Sequence, residues 1–125
     1  METAWAGLRL AVGTLTMIPV GSLPPTTRRI GAWAMALAPI AALPLGLLVA
    51  AVGRLGQAAA MPTSITATLS VGALALATRV MHLDGLADTA DGIGAGWDRE
   101  RALRVLRTGD VGPMGVVTLI VVLGL

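Results

Sequence analysis

The uncharged, strongly apolar stretch of residues 31–52 constrains the fold more than any other feature. About 22 residues without a charged side chain form an α-helix of roughly 33 Å, since each residue adds about 1.5 Å. That length matches the hydrocarbon core of a bilayer, which is about 30 Å thick. Pro39 and Pro44 predict a kink, which neighbouring helices can accommodate inside a membrane. The stretch therefore predicts a transmembrane helix.

The composition extends this prediction to the whole chain. Hydrophobic residues make up 55% and charged residues only 13%, whereas soluble domains carry about 25% charged residues. Long runs of Ala, Leu, Val and Gly are typical of helices packed in lipid. No cysteine is available for disulfides or thiolate metal ligands, and a single histidine does not make an ordinary zinc site. All nine basic residues are arginine, yet the net charge is only +2, so nucleic-acid binding is not indicated.

The apolar segments predict one integral-membrane domain over residues 1–125, with an all-α, polytopic transmembrane helical bundle as its fold. A second span is expected over about 62–83 and a partial span from 116, whereas residues 4–20 are interfacial, re-entrant or spanning. The last ten residues are too few for a bilayer that needs about 20. We therefore expect a fragment, truncated at its C-terminus. The first twenty residues lack a basic n-region, which argues against a cleaved signal peptide.

The arginines predict a topology. Arg28 and Arg29 precede the first span, Arg54 follows it, and most of the others surround the polar region 84–110. The positive-inside rule then places the Arg28–Arg29 loop and the Asp-rich region in the cytoplasm, joined by a two-span hairpin.

Three aspartates lie in the run His-Leu-Asp-Gly-Leu-Ala-Asp-Thr-Ala-Asp-Gly, residues 82–92. Asp84, Asp88 and Asp91 fall within about 60° of one another on a helix, with neighbours roughly 6 Å apart. Each unscreened pair would repel by about 3 kcal/mol at an effective dielectric constant of 20, and none of the three has a basic residue at i+4. The pattern predicts a site for a hard cation such as Mg²⁺, where paired ions about 4 Å apart could clamp a diphosphate.

A short basic helix is predicted next to the aspartates, over Arg99–Arg107, with Asp98 as its N-cap. Arg101, Arg104 and Arg107 share one face of that helix. Their guanidinium groups suit phosphate oxygens. The alternative is a surface that faces lipid headgroups.

The aspartates are also compatible with two roles besides metal binding. They could simply solvate a helix end, or they could form an ion relay in a transporter. A calcium loop of the EF-hand type does not fit, because Leu86 and Ala95 occupy its third and twelfth positions.

The aspartate run is followed by Asp-Arg-Glu-Arg-Ala-Leu at residues 98–103 and by a Leu-Arg pair before a Gly-rich segment. This sequence resembles the cobalamin synthase family, the adenosylcobinamide-GDP ribazoletransferases. A looser similarity includes Ile-Pro-Val at residues 18–20. The resemblance covers nearly all of this chain but only the N-terminal half of a family member. One departure is visible: many members continue with Asp-Ser-Arg before a Gly, whereas here Asp110 is displaced by two positions.

The resemblance implies a multi-pass enzyme of the cell inner membrane that joins adenosylcobinamide-GDP to α-ribazole or its 5′-phosphate, releases GMP and requires Mg²⁺. It implies metal binding by Asp84, Asp88 and Asp91, and we expect Asp91 also to act as general base. Arg101, Arg104 and Arg107 are then expected to contact substrate phosphates. The expected partners are these substrates and the lipid bilayer, without nucleic acid, and an oligomer is compatible with the sequence.

Two alternatives to this activity follow from the same residues. A CDP-alcohol-type transferase of phospholipid headgroups would use similarly spaced aspartates on membrane helices. A non-enzymatic transporter or structural membrane subunit would need only the apolar segments and an acidic loop. Because a truncated chain is expected to lack part of the enzyme, we expect this fragment alone to be inactive.

Overall fold

The computed structural model describes residues 2–23, 25–96 and 98–124, without the side chains of residues 101 and 106–108. Its regular elements are all helices, and no strand occurs within these ranges, so the all-α prediction is confirmed. The helices are α1 (Glu2–Leu15), α2 (Arg28–Ala41), α3 (Leu43–Ala58), α4 (Thr63–Ala77), α5 (Met81–Gly94), α6 (Arg99–Thr108) and α7 (Pro113–Gly124). They form two compact units, Met1–Arg79 and Val80–Leu125.

In the first unit, α1 packs against α2 and α3 packs against α4. Both contacts rely on glycine. A Cβ added at Gly7 of α1 would lie 2.5 Å from the Cβ of Trp33, and one added at Gly56 of α3 would collide with Thr66. Such close approach of backbones at small residues is typical of helices that pack in lipid.

Helices α2 and α3 together form a 31-residue segment, Arg28–Ala58, that is long and apolar enough to cross a membrane. It contains the predicted span 31–52. Only 6% of its most apolar window is buried within the chain, whereas the core helix of a soluble protein is mostly buried. The helix is interrupted at Ala42, between Pro39 and Pro44, as the two prolines predict.

The expected continuous helix over 62–83 is divided in the structure. Helix α4 ends at Ala77 and α5 begins at Met81. Between them Arg79 and Val80 have φ angles of 55° and 61°, in the left-handed region where a right-handed helix cannot continue. Among the described residues, a second candidate span exists only if α4 and α5 count as one broken helix.

The segment after α1 is irregular, although residues 4–20 form one apolar stretch in the sequence. Arg9 holds it: its Nη2 donates hydrogen bonds to the carbonyls of Val20 and Ser22, at 2.5 and 2.8 Å. The N–H of Met17 donates to the carbonyl of Ala77, at 2.7 Å. Helix α1 ends at Leu15, and hydrogen bonds from the Arg9 side chain and the Met17 N–H fix residues 17–22 after it.

In the second unit, α5 packs against both α6 and α7. Ala87 is completely buried in this packing. Helix α6 begins after Asp98, whose Oδ1 accepts a hydrogen bond from the N–H of Glu100 at 3.0 Å, which confirms the predicted N-cap. The short apolar helix α7 begins at Pro113, three residues before the predicted start of the third apolar run. Its first turn lies against α5 and completes the candidate site.

Candidate active site

Helix α5 carries all three predicted metal ligands, but their exposure differs. Asp84 is exposed and Asp88 is half-buried, whereas only 7% of Asp91 is exposed. The difference follows from the packing of α5, since Ala87 and Asp91 face α7. The three carboxylates therefore have different surroundings even though their spacing places them on one helix face.

Asp91 accepts two hydrogen bonds from the first turn of α7. Its Oδ2 accepts from the N–H of Gly112 at 2.7 Å, and its Oδ1 accepts from the N–H of Gly115 at 2.8 Å. Gly112 is the N-cap residue of α7, because its carbonyl accepts the N–H of Val116. The first N–H groups of a helix have no partner inside the helix and carry a partial positive charge. Asp91 therefore caps α7, and these two hydrogen bonds account for the burial of its side chain.

The same contact explains two glycines. A Cβ added at Gly112 would lie 2.5 Å from Oδ1 of Asp91. One added at Gly115 would collide with Oδ2 of Asp91 and lie 3.0 Å from the carbonyl oxygen of Ala87. Only glycine leaves room for the carboxylate at either position.

Asp84 and Asp88 differ from Asp91 in having no partner among the described side chains. Within the described part of the chain, neither carboxylate takes part in a hydrogen bond or ion pair. No three His, Cys, Asp or Glu residues among those described are placed so that they could hold one metal ion. Two free carboxylates still suit Mg²⁺, which commonly binds one or two carboxylates together with water and substrate phosphates. The metal assignment stays a prediction, with Asp84 and Asp88 as its available ligands.

Of the three predicted phosphate-binding arginines, only Arg104 has a described side chain. Its Nη1 lies 3.9 Å from Oε2 of Glu100. The side chain of Arg104 is 68% exposed and that of Glu100 is 87% exposed. Such an exposed pair is weak, about 0–1 kcal/mol, so the guanidinium group can readily exchange Glu100 for another anion. The side chains of Arg101 and Arg107 lie outside the described residues.

The sequence patterns did not reveal the partnership between Asp91 and the first turn of α7. One signal was present, because Pro113 is a typical first residue of a helix and marks where α7 begins. That signal shows that N–H groups need acceptors there, but it does not identify an acceptor more than twenty residues away in the chain.

Known proteins similar to this chain identify its family. Residues 7–125 match the cobalamin-5-phosphate synthase family. A protein from a Nocardioides species named adenosylcobinamide-GDP ribazoletransferase is 52% identical over 99% of this chain and 53% of its own length. A protein with the same name from Bradyrhizobium diazoefficiens is 40% identical over 96% of this chain and 46% of its own length. Another, from Frankia casuarinae, is 43% identical over 92% of this chain and 45% of its own length.

The chain thus spans about half the length of the curated relatives it matches. No solved structure matches it significantly. The family match covers residues 7–125 and includes the aspartate run and α7. The chain therefore belongs to the cobalamin-5-phosphate synthase family.

Proposed function

We propose that the protein acts as an adenosylcobinamide-GDP ribazoletransferase in cobalamin synthesis. It would join adenosylcobinamide-GDP to α-ribazole, or to α-ribazole 5′-phosphate, and release GMP. The observation that carries this proposal is the 52% identity, over 99% of the chain, to a relative that bears this enzyme's name. The chain spans only half of that relative, so the activity is proposed for the intact natural protein.

A bound Mg²⁺ would neutralise charge on the substrate diphosphate and on the departing GMP. Asp84 and Asp88 would hold it, because both are oxygen donors without another partner in the described part of the chain. Their spacing of four residues places them one turn apart on α5. The donor chemistry thus fits the metal.

The remaining work of the site is to position phosphates. A ribazole hydroxyl would form a new O–P bond at the phosphorus attached to cobinamide. The bond from that phosphorus to the GMP oxygen would break, GMP would leave with the bonding electron pair, and the hydroxyl proton would pass to solvent water. In such transfers positioning and charge stabilisation dominate over covalent chemistry by the protein. Arg104 would contact phosphate oxygens, and Arg101 and Arg107 are proposed for the same role. We leave the base unassigned, because both oxygens of Asp91 already accept backbone N–H groups.

We further propose a multi-pass location in the cell inner membrane, with the Asp-rich region in the cytoplasm. The low burial of the segment Arg28–Ala58 supports insertion into lipid. Large apolar side chains on it are well exposed, with Leu47 and Leu55 at 70%. The positions of the arginines favour this orientation.

The test compares Asp84→Asn and Asp88→Asn in the intact natural protein, with GMP release measured as a function of Mg²⁺ concentration. Each substitution keeps the side chain's shape and removes its charge. We expect a loss of GMP release of about 10–100-fold at fixed Mg²⁺, with unchanged membrane insertion. Glu2→Gln, an exposed acid in α1, is the control and should keep full activity.

Normal turnover by either aspartate variant would contradict the metal assignment. The choice of substrate is tested separately by competition between adenosylcobinamide-GDP and CDP-diacylglycerol. Preferential turnover of CDP-diacylglycerol would replace the proposed activity with transfer of a lipid headgroup.

A further inference from the structure

We propose that Asp91 is a positioning residue, which neither binds metal nor acts as a base. Its carboxylate would latch α5 to the first turn of α7 and so fix the direction in which α5 presents Asp84 and Asp88. The effect on activity rests on the proposed function. The latch itself rests only on contacts within the second unit.

Both carboxylate oxygens of Asp91 already bind the N-terminus of α7. Each carboxylate oxygen accepts one backbone N–H, at 2.7 and 2.8 Å, and 7% of the residue is exposed. Those N–H groups belong to a helix N-terminus, which carries about half a positive elementary charge. A cation placed at Asp91 would therefore meet charge of its own sign. The surroundings of Asp91 therefore disfavour a metal.

The carboxylate of Asp91 also packs tightly against the start of α7. The Cα atoms of Gly112 and Gly115 approach so closely that a methyl group at either would overlap an oxygen of Asp91. On the other side, Ala87 is completely buried against α7. The carboxylate thus lies close against the backbone of α7 with little exposure to solvent, which limits the access of a metal with its water ligands.

The geometry of a helix connects the latch to the predicted metal ligands. At about 100° per residue, Asp84 lies only about 20° from Asp91 around the axis of α5, and Asp88 lies about 60° from it. The bonds of Asp91 to α7 therefore also set the rotation that orients Asp84 and Asp88. If the latch opens, α5 can turn as a rigid helix, so Asp84 and Asp88 keep their mutual spacing and can still bind a metal, but the metal is displaced. A misplacement of about 1 Å can cost on the order of 100-fold in rate.

The experiment compares Asp91→Asn with Asp88→Asn in the intact natural protein. Asparagine keeps one acceptor oxygen, but its amide NH₂ cannot accept the second N–H. We expect Asp91→Asn to lower both the melting temperature and kcat. The Mg²⁺ concentration for half-maximal activity, and Mn²⁺ affinity measured by electron paramagnetic resonance, should stay within about 2-fold. Asp88→Asn should weaken both metal readouts by about 10–100-fold.

A loss of Mn²⁺ affinity in Asp91→Asn as large as that in Asp88→Asn would overturn the proposal.

Gly115→Ala provides a second test of the proposal, because it disturbs the latch without changing the carboxylate. It should lower kcat with unchanged Mn²⁺ affinity, and adding Asp91→Asn to it should cause little further loss, since the two residues share one contact. Independent, fully additive losses would also refute the latch. If Asp91→Asn does not fold, the Gly115→Ala measurements decide alone.

The Mn²⁺ titrations also separate this proposal from the proposed function. If the natural protein bound Mn²⁺ through Asp88 but released no GMP from adenosylcobinamide-GDP, the proposed activity would fail. The latch would still be supported by unchanged Mn²⁺ affinity and reduced thermal stability in Asp91→Asn.

Discussion

Gly115→Ala offers the most direct test of how closely α5 and α7 approach. Alanine is normally favoured over glycine inside a helix, by up to about 1 kcal/mol. At this position the new Cβ would collide with Oδ2 of Asp91, and it would lie 3.0 Å from the oxygen and 3.1 Å from the Cβ of Ala87. The backbone and the Cβ of Ala87 cannot move aside by a simple change of rotamer. The methyl group therefore has to displace either the carboxylate or α7.

These contacts determine how much Gly115→Ala lowers the free energy of unfolding. Overpacking of a tight interface costs about 1–3 kcal/mol, and loss of one hydrogen bond to a charged group costs about 1.5–3 kcal/mol. After the gain in helix propensity, we expect Gly115→Ala to lower the free energy of unfolding by about 2–5 kcal/mol.

The assay is denaturant or thermal unfolding of the intact natural protein in detergent, followed by circular dichroism. Gly124→Ala is the matched control in the same helix, because a Cβ added there has nothing within 4 Å. It should change the free energy of unfolding by less than about 1 kcal/mol. Equal stability of the two variants would refute the close approach of Gly115 to Asp91.

Two further predictions concern other contacts. Gly56→Ala should lower the free energy of unfolding by about 1–3 kcal/mol, because its Cβ would collide with Thr66. Gly53→Ala in the same helix is the control and should be nearly neutral, because its Cβ meets nothing within 4 Å. Equal unfolding curves of the two variants would contradict this packing of α3 on α4. Arg104→Gln should change the free energy of unfolding by less than about 1 kcal/mol, since its pair with Glu100 is exposed. It should raise the KM for adenosylcobinamide-GDP in steady-state assays, and an unchanged KM would contradict phosphate binding by Arg104.

Local patterns predicted the parts of the fold that depend on near neighbours in the chain. Asp98 is two residues from the N–H it caps, so its role could be predicted from the sequence around it. The interruption near Ala42 follows in the same way from Pro39 and Pro44. In both cases the chemistry that decides the structure lies within one helical turn.

The break between α4 and α5 could not be predicted in this way. The apolar pattern continues through residues 62–83, and neither Arg79 nor Val80 is a residue type that favours positive φ. A left-handed conformation at a β-branched residue such as Val80 has to be maintained by surrounding structure rather than by its own preference. Sequence periodicity carries no information about that constraint.

The spacing of the three aspartates accounts for only part of their surroundings. Their spacing places three negative charges on one face, and each neighbouring pair would repel by about 3 kcal/mol without compensation. The repulsion requires positive charge near that face but does not require all of it to be metal. The N-terminus of α7 supplies partial positive charge to Asp91 through the N–H groups of Gly112 and Gly115. The need for a cation then falls on Asp84 and Asp88, whose carboxylates remain free of partners in the described part of the chain.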